Sequence, residues 1–290
     1  MHDDNSKGID MGQRDMVTVT RPLPVVPLFV PANRVDRIAK AWRSGADGVI
    51  VDLEDAVAPE AKAPARMLLS QLPEYLQNVI VRINAVGTPW FLDDVAMLRD
   101  QAFAGVMLPK VETAEDVGVL LDRLGRQVPV LVLIETVGGM AELQSILRAS
   151  CVWGAAFGSI DYAMSVGSEH EWDALLAARS ELVFRCRLAG VSPPLDGVTT
   201  AIDCEEPAAQ DARRARALGF GGKLVIHPRQ VEPVLSAFRP SADEIHWAER
   251  VLTAAQDGAA VQVDGRMVDE PVVERARRIL RQVREAANHA

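Results

Sequence analysis

The sequence predicts an α/β fold, a (β/α)8 TIM barrel with a C-terminal helical and loop extension. Three observations lead there. Short runs rich in Val, Ile and Leu alternate with longer amphipathic or alanine-rich stretches from Val25 onward. The runs are apolar throughout rather than at every second residue, as strands covered on both faces are. Eight of them fit into the 290 residues, the number that closes a parallel barrel. A doubly wound sheet is the other architecture for such alternation, but no G-x-G-x-x-G follows the first run to support its dinucleotide-binding form.

The strands are expected, in order, at "VPLFV", "GVIVDLE", "NVIVRIN", "GVMLPK", "VPVLVLIET", "VWGAAFGSID", "PPLDGVTT" and "GKLVIHP". Between them "NRVDRIAKAWRSG", "TAEDVGVLLDRLG" and "EEPAAQDARRARALG" read as helices, each stopped by a glycine. Residues 1–20 form a polar leader that lacks the apolar core of a signal peptide and is expected to be disordered. Residues 21–239 make the catalytic barrel. From 240 to 290 the pattern changes to a helix ("SADEIHWAERVLTAAQDG"), a hairpin or loop ("AAVQVDGRMVDEP") and a terminal helix ("VVERARRILRQVREAANHA"). A barrel closes without this extension, which leaves it to cover the barrel or to pack on a neighbouring subunit.

The formal net charge of −9 argues against a nucleic-acid binder, which carries a basic face. It leaves room for an anionic small molecule, because a few local arginines outweigh the global field at one site. The three cysteines, Cys151, Cys186 and Cys204, have no metal-binding or disulfide spacing and suit a reducing cytoplasm. No apolar run is long enough for a membrane span.

Charged residues gather where the strands end. Strand two ends in Asp52, Glu54 and Asp55, strand three in Arg82 and Asn84, strand four in Lys110, strand five in Glu135, strand six in Asp161 and strand eight in His227. In a barrel these ends converge on the face that carries active sites. Unpaired burial of so many charges is costly, and a cation with an anionic ligand removes the cost. Glu135 and Asp161, from neighbouring strands and without Cys or a clear His partner, suit Mg2+ rather than zinc. Arg82 grips a carboxylate with two parallel hydrogen bonds, or else pairs with one of the barrel acids. Lys110 neutralises "DLED" or is a plain strand-end cation. His227, before Pro228, reads as structural.

These stretches occur together and in order: "PLFVPANRVDRIAKAWRSGADGVIVDLEDAVAPEAKAPAR", "VRINAVGTPWFLDDV", "GVMLPKVETAEDV", "VLIETVGGM", "FGSIDYAMSVG" and "GKLVIHPRQV". Over about residues 25 to 275 the chain resembles the citrate lyase beta-subunit-like branch of the HpcH/HpaI aldolase/citrate lyase family. The resemblance implies a Mg2+-dependent barrel in a homo-oligomer, a trimer or hexamer. It implies a carbon–carbon lyase that cleaves or forms a 3-hydroxy acid or its CoA thioester through an enolate, with a 2-oxo acid on the metal. A pyruvate-type aldolase, an acyl-CoA thioesterase and a noncatalytic assembly subunit are the alternatives. Carried over by residue, it makes Glu135 and Asp161 the metal ligands and Arg82 the binder of the substrate carboxylate, with Lys110 and Gly138 also at the substrate. Glu54 and Asp55 stand by the metal's waters. Asp269, in "DGRMVDEP", becomes a general acid/base acting in a neighbouring subunit's site. Two departures stand out. Val25 and Val26 replace an Arg-Ser pair found near the thioester in CoA-using relatives, and Asp55 stands where the pyruvate aldolases carry a base-catalytic His.

Overall fold

The computed structural model describes residues 22–71, 77–255 and 261–288; the expected leader, 1–20, lies outside them. Eight parallel strands follow one another around the sheet in chain order. They are β1 (Pro27–Pro31), β2 (Gly48–Asp52), β3 (Ile80–Arg82), β4 (Gly105–Leu108), β5 (Val130–Ile134), β6 (Val152–Phe157), β7 (Leu195–Asp196) and β8 (Gly222–Lys223). A bridge between Leu28 and Val225, with the Phe29 N–H donating to Val225 O at 2.9 Å, closes β8 onto β1. The predicted barrel is therefore present, with all eight runs as strands. The ladders are shorter than the apolar runs, most of all at β7 and β8.

The reason the runs are apolar throughout is visible in the packing. Ile50, Ile80, Met107, Leu131, Leu133, Ala156, Leu195 and Leu224 fill the barrel interior. Their neighbours Val49, Val51, Val81, Val106, Val130 and Val132 face outward into the layer under the helices. Both faces are dry, so both sets of positions are apolar.

Helices α1 (Ile38–Arg43), α2 (Lys62–Ser70), α3 (Phe91–Leu98), α4 (Ala114–Leu124), α5 (Val137–Ala141), α6 (Leu143–Leu147), α7 (Ser159–Val166), α8 (Leu176–Ala189), α9 (Glu206–Leu218) and α10 (Val231–Phe238) surround the sheet. The cleanest local signal is α4. Thr113 and Asp116 form a reciprocal capping box at its start, and Gly125 ends it at φ 72°. The helix predicted at "EEPAAQDARRARALG" is α9, stopped by Gly219 at φ 108°.

Between the wall and α8 lies a sealed charge cluster. Asp196 accepts Arg179 Nε at 2.8 Å and Lys223 Nζ at 3.3 Å, and Lys223 also bonds Gly197 O. All three side chains are buried. Leu195 and Leu224 point inward, so Asp196 and Lys223, one step along each strand, point outward.

After the barrel come α11 (Ala242–Ala255), a hairpin of β9 (Val261–Val263) and β10 (Arg266–Val268), and α12 (Glu270–Asn288). They share a core of their own around Ala248, Val251, Val273, Ala276 and Ile279. Arg216 of α9 ties it to the barrel helices through Glu244, at 3.0 Å. Among the described residues no helix is long and apolar enough to cross a membrane.

Candidate active site

The strand ends do converge, and the acids arrive by different routes. Asp52 is the last residue of β2 and points into the barrel with Ile50 two positions back. Its Oδ1 accepts the Glu54 N–H at 2.8 Å and its Oδ2 the Ala56 N–H at 3.1 Å, which folds the chain after β2 into a tight acidic loop. Arg82 ends β3, beside β2 in register with Asp52. Its Nε and Nη2 donate to the two Asp52 oxygens at 2.7 and 2.6 Å. Its Nη1 lies 3.0 Å from Glu54 Oε2 and 3.7 Å from Asp55 Oδ2. The Phe29 ring lies under the guanidinium, 4.9 Å away. Three acids hold the Arg82 pKa above its ordinary value against the opposing effect of burial.

Lys110 follows β4 in the left-handed region, φ 51°, which a non-glycine residue adopts only when the surroundings hold it. That twist does two jobs. The backbone N–H donates to Glu135 Oε1 at 2.8 Å, and the ammonium reaches Glu54 Oε1 at 2.6 Å. Burial lowers the Lys110 pKa, but the Glu54 bond and the charges of Glu54, Glu135 and Asp55 together outweigh it and the net shift is upward.

Glu135 emerges from β5 with 2% of its surface exposed. Its carboxyl is pushed up to about 8, first by burial and then by the Glu54 charge, with Asp161 adding to the rise. Gly158 makes room for it: a Cβ there would stand 2.5 Å from Glu135 Cβ and 2.6 Å from its Oε2. The carboxylate thus rests against the start of α7. Here the structure corrects the sequence reading. Asp161 is not on the end of β6, which stops at Phe157, but in the first turn of α7. The run "VWGAAFGSID" leaves the strand at Gly158, where only a residue without a Cβ fits against Glu135.

Other predicted residues fall as follows. Glu54 is buried, and burial raises its pKa against the pull of Arg82 and Lys110. Asp55 is at the exposed edge. Gly138 sits in the first turn of α5, where a Cβ would touch the Glu112 carboxyl at 3.1 Å. Asp269 lies in the C-terminal unit, exposed, and accepts the Val272 N–H at 3.2 Å at the start of α12. His227 caps the turn after β8: its Nδ1 accepts the Arg229 N–H at 3.2 Å. Val25 and Val26 stand upstream of β1, with their N–H groups on Asp47, and so belong to the end of the barrel away from Glu135.

Sequence reasoning passed over three supports. Asp52 was read only as one acid of a group, yet it is the residue that fixes Arg82. Asn84 donates to Leu53 O at 3.1 Å and to Asp94 at 2.6 Å. Lys62 is buried beneath the acidic loop. The only signal for it was a lysine opening a helix after "DLEDAV", which is hard to tell from a surface residue.

The site therefore sets Asp52, Glu54, Asp55, Glu135 and Asp161 against Arg82 and Lys110, an excess of negative charge. The donors are all hard oxygens. Among the described residues no three His, Cys, Asp or Glu side chains are grouped tightly enough to enclose a metal by themselves. Both facts fit Mg2+, which takes one or two protein carboxylates and fills the rest of its shell with water and substrate oxygens.

Comparison with known proteins shows which family the chain resembles. A citrate lyase subunit beta-like protein of Deinococcus radiodurans is 38% identical over 273 residues, covering 87% of this chain and 95% of that protein. A (3S)-malyl-CoA thioesterase of Cereibacter sphaeroides is 33% identical over 265 residues, covering 87% and 92%. The crystal structure of CitE from Mycobacterium tuberculosis in complex with magnesium, acetoacetate and coenzyme A superposes with a TM-score of 0.80 at 35% identity, over 89% of this chain and 97% of that one. The sequence pattern of one family matches residues 26–228, from the start of the barrel to the turn after β8. The chain belongs to the HpcH/HpaI aldolase/citrate lyase family.

Proposed function

We propose that the chain is a Mg2+-dependent carbon–carbon lyase of the citrate lyase beta-subunit kind. Its substrate is a 3-hydroxy acid or the CoA thioester of one, and a 2-oxo acid is the second product, or a substrate in the reverse direction. The observation that carries this reading is Glu135, a buried carboxyl pushed up to about 8 at the mouth of the barrel beside Glu54 and Asp161. Such a group is uncomfortable ionised unless a cation joins it. Glu135 and Asp161 are the ligands in this reading, with Glu54 and Asp55 near the metal's waters. When bound, Mg2+ polarises the carbonyl of an oxo acid.

The chain's own residues do the rest. Asp52 holds one edge of Arg82, so the guanidinium is oriented before substrate arrives and its Nη1 can exchange Glu54 for a substrate carboxylate. Lys110 offers a second, more exposed cation to the ligand. Gly138, lacking a side chain, leaves room for the ligand's approach. Cleavage requires a base to take the hydroxyl proton while the carbon–carbon bond breaks and its electron pair passes to the departing enolate, which then gains a proton. Asp269 of a neighbouring subunit is assigned that proton exchange, which makes a homo-oligomer, a trimer or hexamer, the working form.

The relatives support the reading: one is named for citrate lyase, and one was crystallised with magnesium, an oxo acid and coenzyme A. Calorimetry with Mg2+ and oxaloacetate, glyoxylate, pyruvate or acetoacetate tests it. Wild type binds at least one acid only with metal, and Glu135→Ala does not; equal binding without metal or without Glu135 sinks the reading. A second reading, thioester hydrolysis at the same site, is favoured by the Cereibacter relative. Product analysis separates them, since a lyase acting on malyl-CoA releases acetyl-CoA and glyoxylate, and a thioesterase releases free CoA and malate.

A further inference from the structure

Lys62 stands in an unfavourable place. It opens α2, where the helix dipole disfavours a cation, and only 4% of it is exposed. Burial lowers its pKa. Among the described residues no carboxylate lies within ion-pair distance of it. What it touches instead is backbone. Its Nζ donates to Leu53 O and to Glu54 O, both at 2.7 Å, and lies 5.0 Å from the centre of the Trp90 ring. Leu53 O also takes the Asn84 side chain at 3.1 Å, and Glu54 O takes the Val57 N–H at 3.2 Å.

These two carbonyls belong to the loop that carries Glu54 and Asp55 into the site. Asp52 holds the loop by its N–H groups from the barrel side. Lys62 holds it by its carbonyls from the helix side. The Leu53–Glu54 peptide, held at both its C=O and its N–H, resists rotation, and this orients the Cα of Glu54 from which its side chain leaves. Glu54 in turn is the shared partner of Arg82 and Lys110.

We propose that Lys62 is a positioning residue for the active site. Its buried ammonium locks the Leu53–Glu54 peptides and so sets the geometry of Glu54 and, through it, of Arg82 and Lys110. The inference rests on the oxo-acid reading only for its effect on ligand, not for its effect on the loop.

The full-length chain carrying Lys62→Met is compared with Lys62→Arg and with wild type. Hydrogen exchange of the Glu54 and Ala56 amides in metal-free protein reads the loop directly. Lys62→Met speeds both by at least about tenfold, the loss expected for hydrogen bonds from a charged donor, while amides of α4 keep their protection. Lys62→Arg, which keeps a cationic donor, recovers most of that protection. Where wild type binds acetoacetate with Mg2+, Lys62→Met weakens that binding by at least about tenfold and Lys62→Arg restores part of it. Unchanged exchange at Glu54 and Ala56 in Lys62→Met overturns the proposal, as does an equal rise in exchange throughout the barrel, which marks Lys62 as general packing. If the Met variant does not fold, Lys62→Gln, a neutral donor, takes its place under the same criteria. Absence of binding by wild type of all four acids, with Mg2+ present, refutes the oxo-acid reading and leaves the exchange result to decide the role of Lys62.

Discussion

Two clusters of buried charge belong to the barrel and obey opposite rules. Outside the wall, Asp196 is matched by Arg179 and Lys223, and the group is closed off by α8. Inside, at the mouth, five acids face Arg82 and Lys110, and a buried carboxyl is pushed up to about 8. In the first cluster both Asp196 oxygens are taken up by buried cations of the chain itself. In the second the acids outnumber the cations, and the part it lacks has a sign: positive. A charge cluster sealed from solvent serves stability, whereas one open to solvent with surplus acid is poised for a cation.

The sharpest way to break this contrast is to remove the acid from the closed cluster. Asp196→Ala leaves two buried cations without a carboxylate and is expected to cost about 3–5 kcal/mol in denaturant unfolding. A loss under about 1 kcal/mol would show that the cluster is solvated and not the closed structural group described.

The open cluster should respond in the opposite sense. The Glu135 carboxyl rises from an ordinary 4.5 to about 8 in the fold, so the unfolded chain gives up that proton first. Its contribution to stability is therefore greatest below pH 4.5, declines as pH rises, and is gone above about 8. Glu135→Gln, measured without metal, is expected to raise the melting temperature relative to wild type at pH 8 and to make little difference near pH 4.5. Millimolar Mg2+ should then raise the melting temperature of wild type at pH 8 and not that of the variant. A gap that fails to widen with pH would remove the argument for an unsatisfied carboxylate.

Asp52→Asn tests whether the open cluster is also preorganised. One of the two bonds to Arg82 is lost, because an amide NH2 cannot accept, and the other loses its acceptor charge; oxo-acid affinity is expected to fall by about tenfold while the fold is retained. Unaltered affinity would show that Arg82 needs no such support. The smallest effect belongs to Arg216→Ala, which cuts the half-exposed tie to Glu244. It should change stability by under about 1 kcal/mol, and a larger loss would mean that the C-terminal unit leans on the barrel far more than one ion pair suggests.

Much of this was legible in the sequence because it depends on period and position. Eight dry strands must be apolar on both faces, and a charge at the end of such a strand stands out, as Glu135 does. Position failed where a bend intervened. Asp161 sits in the first turn of α7 and not on β6, because the chain leaves the strand at Gly158, and no pattern of hydrophobicity records that turn. Partner choice was equally hidden. Nothing in "VRIN" says that Arg82 meets Asp52 across the sheet, since the pairing depends on register between strands that are thirty residues apart. Lys62 was hidden for another reason: a lysine in the first turn of a helix looks like surface until the loop it supports is seen beneath it.

The way the barrel closes has a consequence for how it forms. Each strand from β2 to β6 lies beside the next one in sequence, so its partner is close at hand. The seam between β1 and β8 joins Leu28 to Val225, the two ends of the barrel sequence, through a single bridge and a few backbone bonds. That contact has the longest loop to close and the least ladder to hold it, so it belongs to the late part of folding. Asp52, Arg82, Lys110 and Glu135 all come from strands away from the seam. Most of the acidic mouth can be assembled from near neighbours before the ring is shut.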